Sequence, residues 1–149
     1  MNKITFARVS GYEAAVAAAV QADVHVIAAE GELLEQQITD LADETVRLSV
    51  SGKHNVVLDL SRVHHLDYRG VRQLAARARF LRGAGGDLKI CGLSLYLASI
   101  FRASGLFGEI EVHDTVQSAS AAFAYAALAN EAEADLDAEP ADTDAAESL

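Results

Sequence analysis

Cysteine is all but absent from this chain. The one copy, Cys91, leaves nothing to form an intrachain disulfide, so no covalent framework holds the fold and nothing argues for export. Long apolar runs are missing as well: none approaches the roughly 20 residues that cross a bilayer. The stretch Ala14 to Val20, preceded by Lys3 and Arg8, has the look of a short leader core. Glu13 opens it, however, and residues Ile4 to Val9 before it read as a strand, so no secretory leader is expected and the location is read as cytoplasmic. Clustered basic charge is also lacking, which speaks against a phosphate-backbone binder and hence against nucleic acid as a partner. There is no GxGxxG and no Walker loop.

What is present is a globular balance: 149 residues, 51% hydrophobic and 23% charged, enough for one domain with one core. The formal charge of −10 is unevenly placed. Residues 131 to 149 hold eight acids and no base; the remaining 14 acids face 12 Lys and Arg, a net of −2. The chain is therefore divided into a nearly neutral domain, residues 1–129, and an acidic Ala-rich tail, residues 130–149. The tail cannot bury enough apolar surface to offset the entropy of ordering, so it is expected to be disordered. It is read as a solubility appendage, with an autoinhibitory cover over basic residues as the alternative.

Strands and helices alternate along the domain. Ile4 and Phe6 suggest a first strand, Tyr12 to Gln21 a short Ala-rich helix, and Val24 to Ala28 a second strand ending near Gly31. Leu34, Ile38, Leu41, Thr45 and Leu48 make one helical stripe. Val56-Val57-Leu58-Asp59-Leu60 is nearly continuous apolar sequence, as in a strand covered on both faces. Ser61 to Leu66 is read as a connection into a helix carrying Val71, Leu74, Ala75, Ala78 and Leu81, which Gly83 to Gly86 stops. A strand at Leu88 to Cys91, a helix through Leu97 and Phe101, a strand at Ile110 to His113 and a last helix with Val116, Ala119, Phe123 and Ala127 follow. The fold class is α/β: one small domain with a mixed four- to five-stranded sheet and helices packed against it.

Candidates for chemistry are weak. His64 and His65 are neighbours that point to opposite sides of an extended segment and cannot easily share a metal, so none is expected. Ser94 follows a strand but lacks the second glycine of a nucleophile elbow, and reads as a helix N-cap. Asp59 and Asp67 bracket one loop and could approach each other, yet capping explains Asp67 more simply. Cys91 lies in an apolar run and reads as packing. No cofactor is expected, and the chain is not read as an enzyme.

One segment is more informative. Leu58-Asp59-Leu60-Ser61, then Leu66-Asp67-Tyr68-Arg69-Gly70, resembles the STAS family pattern of a buried strand ending in Asp-Leu-Ser and an Asp-Ser-Ser-Gly turn opening a helix. Gly31-Glu32-Leu33, the Gly85-Gly86 turn with Leu88-Lys89-Ile90, and Ser104-Gly105-Leu106 are similar to three further landmarks of that family, in the same order, over residues 24 to about 125. The resemblance implies a non-catalytic antagonist in a partner-switching circuit, docking an anti-sigma factor or serine-kinase-like protein. Scaffold subunits of signalling complexes and accessory subunits of lipid-transport ATPases are the alternative, and a homodimer is left open. The resemblance also implies a phosphoacceptor serine at the helix start, where a phosphate would meet unpaired N–H groups. Here Arg69 stands at that position and Tyr68 at the serine before it, so serine control is not expected.

The expected partner-binding residues are Asp67, Tyr68, Arg69, Gly70, Arg72 and Arg79. Arg69 opposes the helix dipole and Gly70 is a poor helix former; two unfavourable choices in one turn suggest a working surface. Arg69, Arg72 and Arg79 fall along one side of their helix as a basic strip that would steer encounter with an acidic partner.

Overall fold

The computed structural model describes the backbone of residues 3–8 and the whole of residues 23–126 and 129. The expected helix Tyr12–Gln21, Ala127 and the tail 130–149 lie outside the described residues, and with them the test of a domain boundary near 129.

Five strands form one sheet in the order β1 to β5. β1 (Lys3–Arg8) runs antiparallel to β2 (His25–Leu33), with Phe6 opposite Ile27. β2 is parallel to β3 (Asn55–Leu66), β3 to β4 (Asp87–Cys91), and β4 to β5 (Glu111–His113). The helices α1 (Glu35–Val50), α2 (Val71–Gly83) and α3 (Leu95–Ala103) supply the crossovers. A further helix, α4, spans residues 116–126.

The near-continuous apolar run of β3 is explained by two cores. Val56, Leu58 and Leu60 face Ile38 and Leu41 of α1, Leu74, Ala78 and Leu81 of α2, and Leu97 and Phe101 of α3. Val57 points the other way, with Val24, Val26 and Cys91, beneath Ala119 and Phe123 of α4. Each large side chain removed from water in this way stabilises by about 1.5–3 kcal/mol before entropy is counted. Lys89, next to Val57 in the register, is buried on the α4 face. Its Nζ lies 4.7 Å from the centre of the Phe123 ring, hydrogen-bonds Glu111, and reaches Asp87 Oδ2 at 3.4 Å. The stem thus packs while the ammonium is held by two carboxylates.

Local signals act as expected at several ends. Ser94 caps α3 by accepting from the Leu97 N–H at 3.1 Å. Gly85 has φ +91°, and a Cβ on Gly86 would lie 2.0 Å from His54 O, so the turn after α2 is a stop and not an anion cradle. Leu34 departs from the apolar stripe: it precedes α1 and is exposed, its N–H donating to Gln37 Oε1 at 3.1 Å.

The larger correction concerns Ser61 to Leu66. This segment is strand, not loop. Beyond Asp59 the β4 ladder has ended, and β3 continues on β2 alone, from Glu30 opposite Arg62 to Leu33 opposite Leu66, with register shifts at Ala28/Glu30 and Gly31/Glu32. Val63 and Leu66 turn into the core, and the polar residues between them lean outward. Asp59 and Asp67 therefore sit at opposite ends of an extended stretch of roughly 25 Å by strand rise and cannot act as a pair.

Candidate functional site

β3 ends by delivering Asp67 to a single 3₁₀ turn, Tyr68–Gly70, which leads directly into α2. The turn is fixed from below. The Asp67 N–H donates to Leu33 O at the end of β2 (2.9 Å), and the Gly70 N–H donates to Asp67 O (2.8 Å). The Asp67 carboxylate caps the turn, accepting from the Arg69 N–H at 3.0 Å.

The same carboxylate is gripped by the Arg69 side chain, Nε to Oδ1 at 3.2 Å and a terminal nitrogen to Oδ2 at 3.1 Å. These side-chain bonds, with the Arg69 backbone N–H, hold the Asp67 carboxyl below the usual aspartate range, and the carboxylate in turn raises the Arg69 guanidinium. The cation at the helix start thus has its counter-charge in direct contact, which offsets its unfavourable interaction with the dipole.

Gly70 lies on the inner side of the turn. It is buried, and a Cβ there would lie 2.0 Å from Ile38 Cδ1. The approach of α1 beneath the turn is enough to require glycine at this position. Arg79 also separates from the group. It is exposed and paired with Glu109 at 3.4 Å, on the part of α2 remote from the turn, and it lines neither hollow of the site. Tyr68 (59% exposed), Arg69 (73% exposed side chain) and Arg72 form the accessible set, with Asp67 half-buried behind them.

Two open depressions flank Tyr68 and Arg69. One, about 330 Å³, is lined by Leu34, His65, Leu66, Asp67, Tyr68, Arg69 and Ile100. The other, about 410 Å³, is lined by Tyr68, Arg69, Arg72, Ala103, Ser104 and Leu106, with no carboxylate among them. Beside the first, Tyr96 OH lies 2.7 Å from His65 Nδ1, with the two rings stacked at 5.9 Å. Leu95, 90% exposed, precedes Tyr96 at the start of α3. These α3 and Leu34 contributors carry little signal in sequence: by spacing Leu34 falls on the apolar stripe of α1, and the His65–Tyr96 contact joins positions 31 apart that no short motif links.

Other candidates stay apart from this region. Asp59 Oδ1 accepts from the Ser61 N–H at 3.0 Å. Cys91 is buried on the opposite face of the sheet, where burial, then the Asp59 charge, pushes its thiol up to about 12. His64 is exposed, and among the described residues no three His, Cys, Asp or Glu side chains converge as metal ligands would. Among the described residues no helix is long and apolar enough to cross a membrane.

Comparison with known proteins bears on the family and the fold. The STAS domain profile matches residues 15–119. A Bordetella bronchiseptica protein named as a candidate anti-sigma factor antagonist, BtrV, is 31% identical over 98 residues, covering 66% of this chain and 78% of its own. Among solved structures, an anti-sigma factor antagonist from Mycobacterium paratuberculosis superposes with a TM-score of 0.62 at 20% identity, over 81% of this chain and 94% of that one. The unphosphorylated antagonist SpoIIAA does so with 0.58 at 18% identity, over 77% and 92%. At such identities the structures speak for the fold alone.

Proposed function

Because this chain belongs to the STAS domain family, we propose that it is a non-catalytic cytoplasmic regulator of the anti-sigma factor antagonist kind, docking a kinase- or anti-sigma-like protein through the Tyr68–Arg69 turn and the start of α2. A relative at 31% identity named as such an antagonist supports the assignment. The observation that carries it is the make-up of one end of the molecule. A capped turn presents exposed Tyr68 and Arg69, Arg72 follows on α2, and Leu34 and the His65–Tyr96 pair flank it, with Leu34 and Tyr96 exposed. Exposed aromatic and arginine side chains grouped on a fixed backbone are what binding hot spots are made of.

Arg69 in the place where the family resemblance puts a phosphoacceptor serine argues for docking without serine control. Its guanidinium keeps the turn in a fixed charge state, whereas a serine there would gain a charge of about −1.5 to −2 on modification. Two measurements test the proposal. Incubation with a serine kinase of such a circuit and ATP leaves residues 67–70 unmodified by mass spectrometry; stable phosphate there overturns the lost switch. A pull-down with the full chain identifies the partner, and Arg69→Glu then weakens binding by about tenfold or more in calorimetry. Unchanged affinity places the interface elsewhere.

A further inference from the structure

The cations of α2 and its turn are not equivalent. Arg79 is paired with Glu109, and Arg82 with Asp87 (2.9 Å) and with Glu109 O (2.7 Å). Arg69 uses two nitrogens on Asp67, leaving one side of its guanidinium open. Arg72 is exposed and has no hydrogen bond or ion pair among the described residues. Both Arg69 and Arg72 line the 410 Å³ depression, whose remaining walls are Tyr68, Ala103, Ser104 and Leu106, with no acid. Among the described residues this makes a cationic hollow with an aromatic rim.

The complementary charge is carried by the chain itself. Residues 131–149 contain eight carboxylates and no base, broken up by Ala, Leu136 and Pro140. They follow α4, which lies on the opposite face of the sheet from α2. Nineteen residues extended reach up to roughly 65 Å, well beyond the roughly 30–40 Å width expected of a domain this size. A tethered segment of that length meets its own domain at an effective concentration of order millimolar, where even weak exposed ion pairs are populated.

We propose that the acidic segment 131–149 folds back onto the Tyr68–Arg69–Arg72 hollow and screens it from acidic surfaces of other proteins. Its regulatory meaning rests on that hollow being the docking face. The contact itself does not require a partner, and it is tested without one.

A spin label attached through Ser148→Cys in the otherwise intact chain reports the contact, since Cys91 is buried and does not compete for the reagent. At about 0.02 M salt the amides of Tyr68, Arg69 and Arg72 lose roughly half their NMR intensity or more; at about 0.5 M, where the Debye length falls to about 4 Å, they recover. Recovery also follows when the eight acids are changed to Asn and Gln, and when Arg72→Glu reverses the hollow's charge in a chain whose other resonances are unmoved. No attenuation at these amides, attenuation centred on another surface, or attenuation indifferent to salt and to the eight changes overturns the proposal. So does attenuation that arises only between molecules, seen by mixing labelled natural-abundance chain with unlabelled ¹⁵N chain. A tail that fails this test leaves the Arg69→Glu binding measurement untouched, and a failed binding measurement leaves the tail contact standing.

Discussion

Gly70 and Ile38 are in contact so close that a methyl group on the first would overlap the Cδ1 of the second at 2.0 Å. Both are buried, one in the 3₁₀ turn and the other on α1. Gly70→Ala is therefore expected to destabilise the domain by about 1–3 kcal/mol through overpacking, despite alanine's better helix propensity. Urea unfolding measures it. Ile38→Val removes Cδ1, so the double variant should lose less than the sum of the singles; strict additivity would show that the two side chains do not meet.

The Asp67–Arg69 grip predicts a pH dependence of definite sign. The folded-state carboxyl is held low by the Arg69 side chain first and its N–H second. The contact therefore contributes at pH values above the usual aspartate value of about 3.9 and is lost as pH falls through the lower folded value. Asp67→Asn should flatten the acid limb of the stability profile, and Arg69→Ala should move the Asp67 carboxyl resonance titration upward. An unmoved titration would mean the pairing is absent in solution.

Cys91 gives a third expectation. With its thiol raised to about 12, mainly by burial and then by Asp59, its thiolate population near pH 8 is on the order of a thousandfold below that of a free cysteine. A disulfide-exchange reagent should label the native chain only after unfolding in urea. Asp59→Asn should accelerate native labelling modestly, since only the smaller cause is removed.

Lys89 separates packing from charge. Its stem is buried and its ammonium lies over Phe123. Lys89→Met keeps most of the packing and should cost about 1 kcal/mol or less, whereas Lys89→Ala opens a cavity against α4 and should cost about 2–3 kcal/mol in urea unfolding. Burial alone would raise the Glu111 carboxyl, but hydrogen bonds with Lys89 and His113 outweigh it and hold it low. Its contribution is present above the usual glutamate range and lost toward acid, and this dependence should shrink in Lys89→Met.

Much of the fold was legible because burial writes a period into sequence. Ile38, Leu41 and Thr45 recur at helical spacing and all are buried on α1. The run Val56 to Leu60 has no polar alternation apart from Asp59 because helices cover both faces of that strand. Residues 61–66 were harder. Where β3 has only one neighbour, Ser61, Arg62 and His64 are exposed, and their polarity masked the inward pair Val63 and Leu66. At the site, the turn and its cap were readable from Asp67, but Gly70 was not. A glycine demanded by a neighbour 32 positions earlier looks the same, in sequence, as one placed for a partner. The hollow beside Arg72 needs Ser104 and Leu106 from beyond α3, and only the assembled chain places them there.

Past the point where β4 stops at Cys91, β2 and β3 go on together as a two-stranded pier, and the Tyr68–Gly70 turn stands at its far end, pinned through Asp67 to Leu33. A loop in that place would have to be ordered by whatever it met, at an entropic penalty charged to every encounter. The pier removes that penalty in advance. For a partner docking there as proposed, the turn itself then needs no reordering on encounter, and in a chain lacking residues 131–149 ionic strength should slow capture far more than it shortens residence.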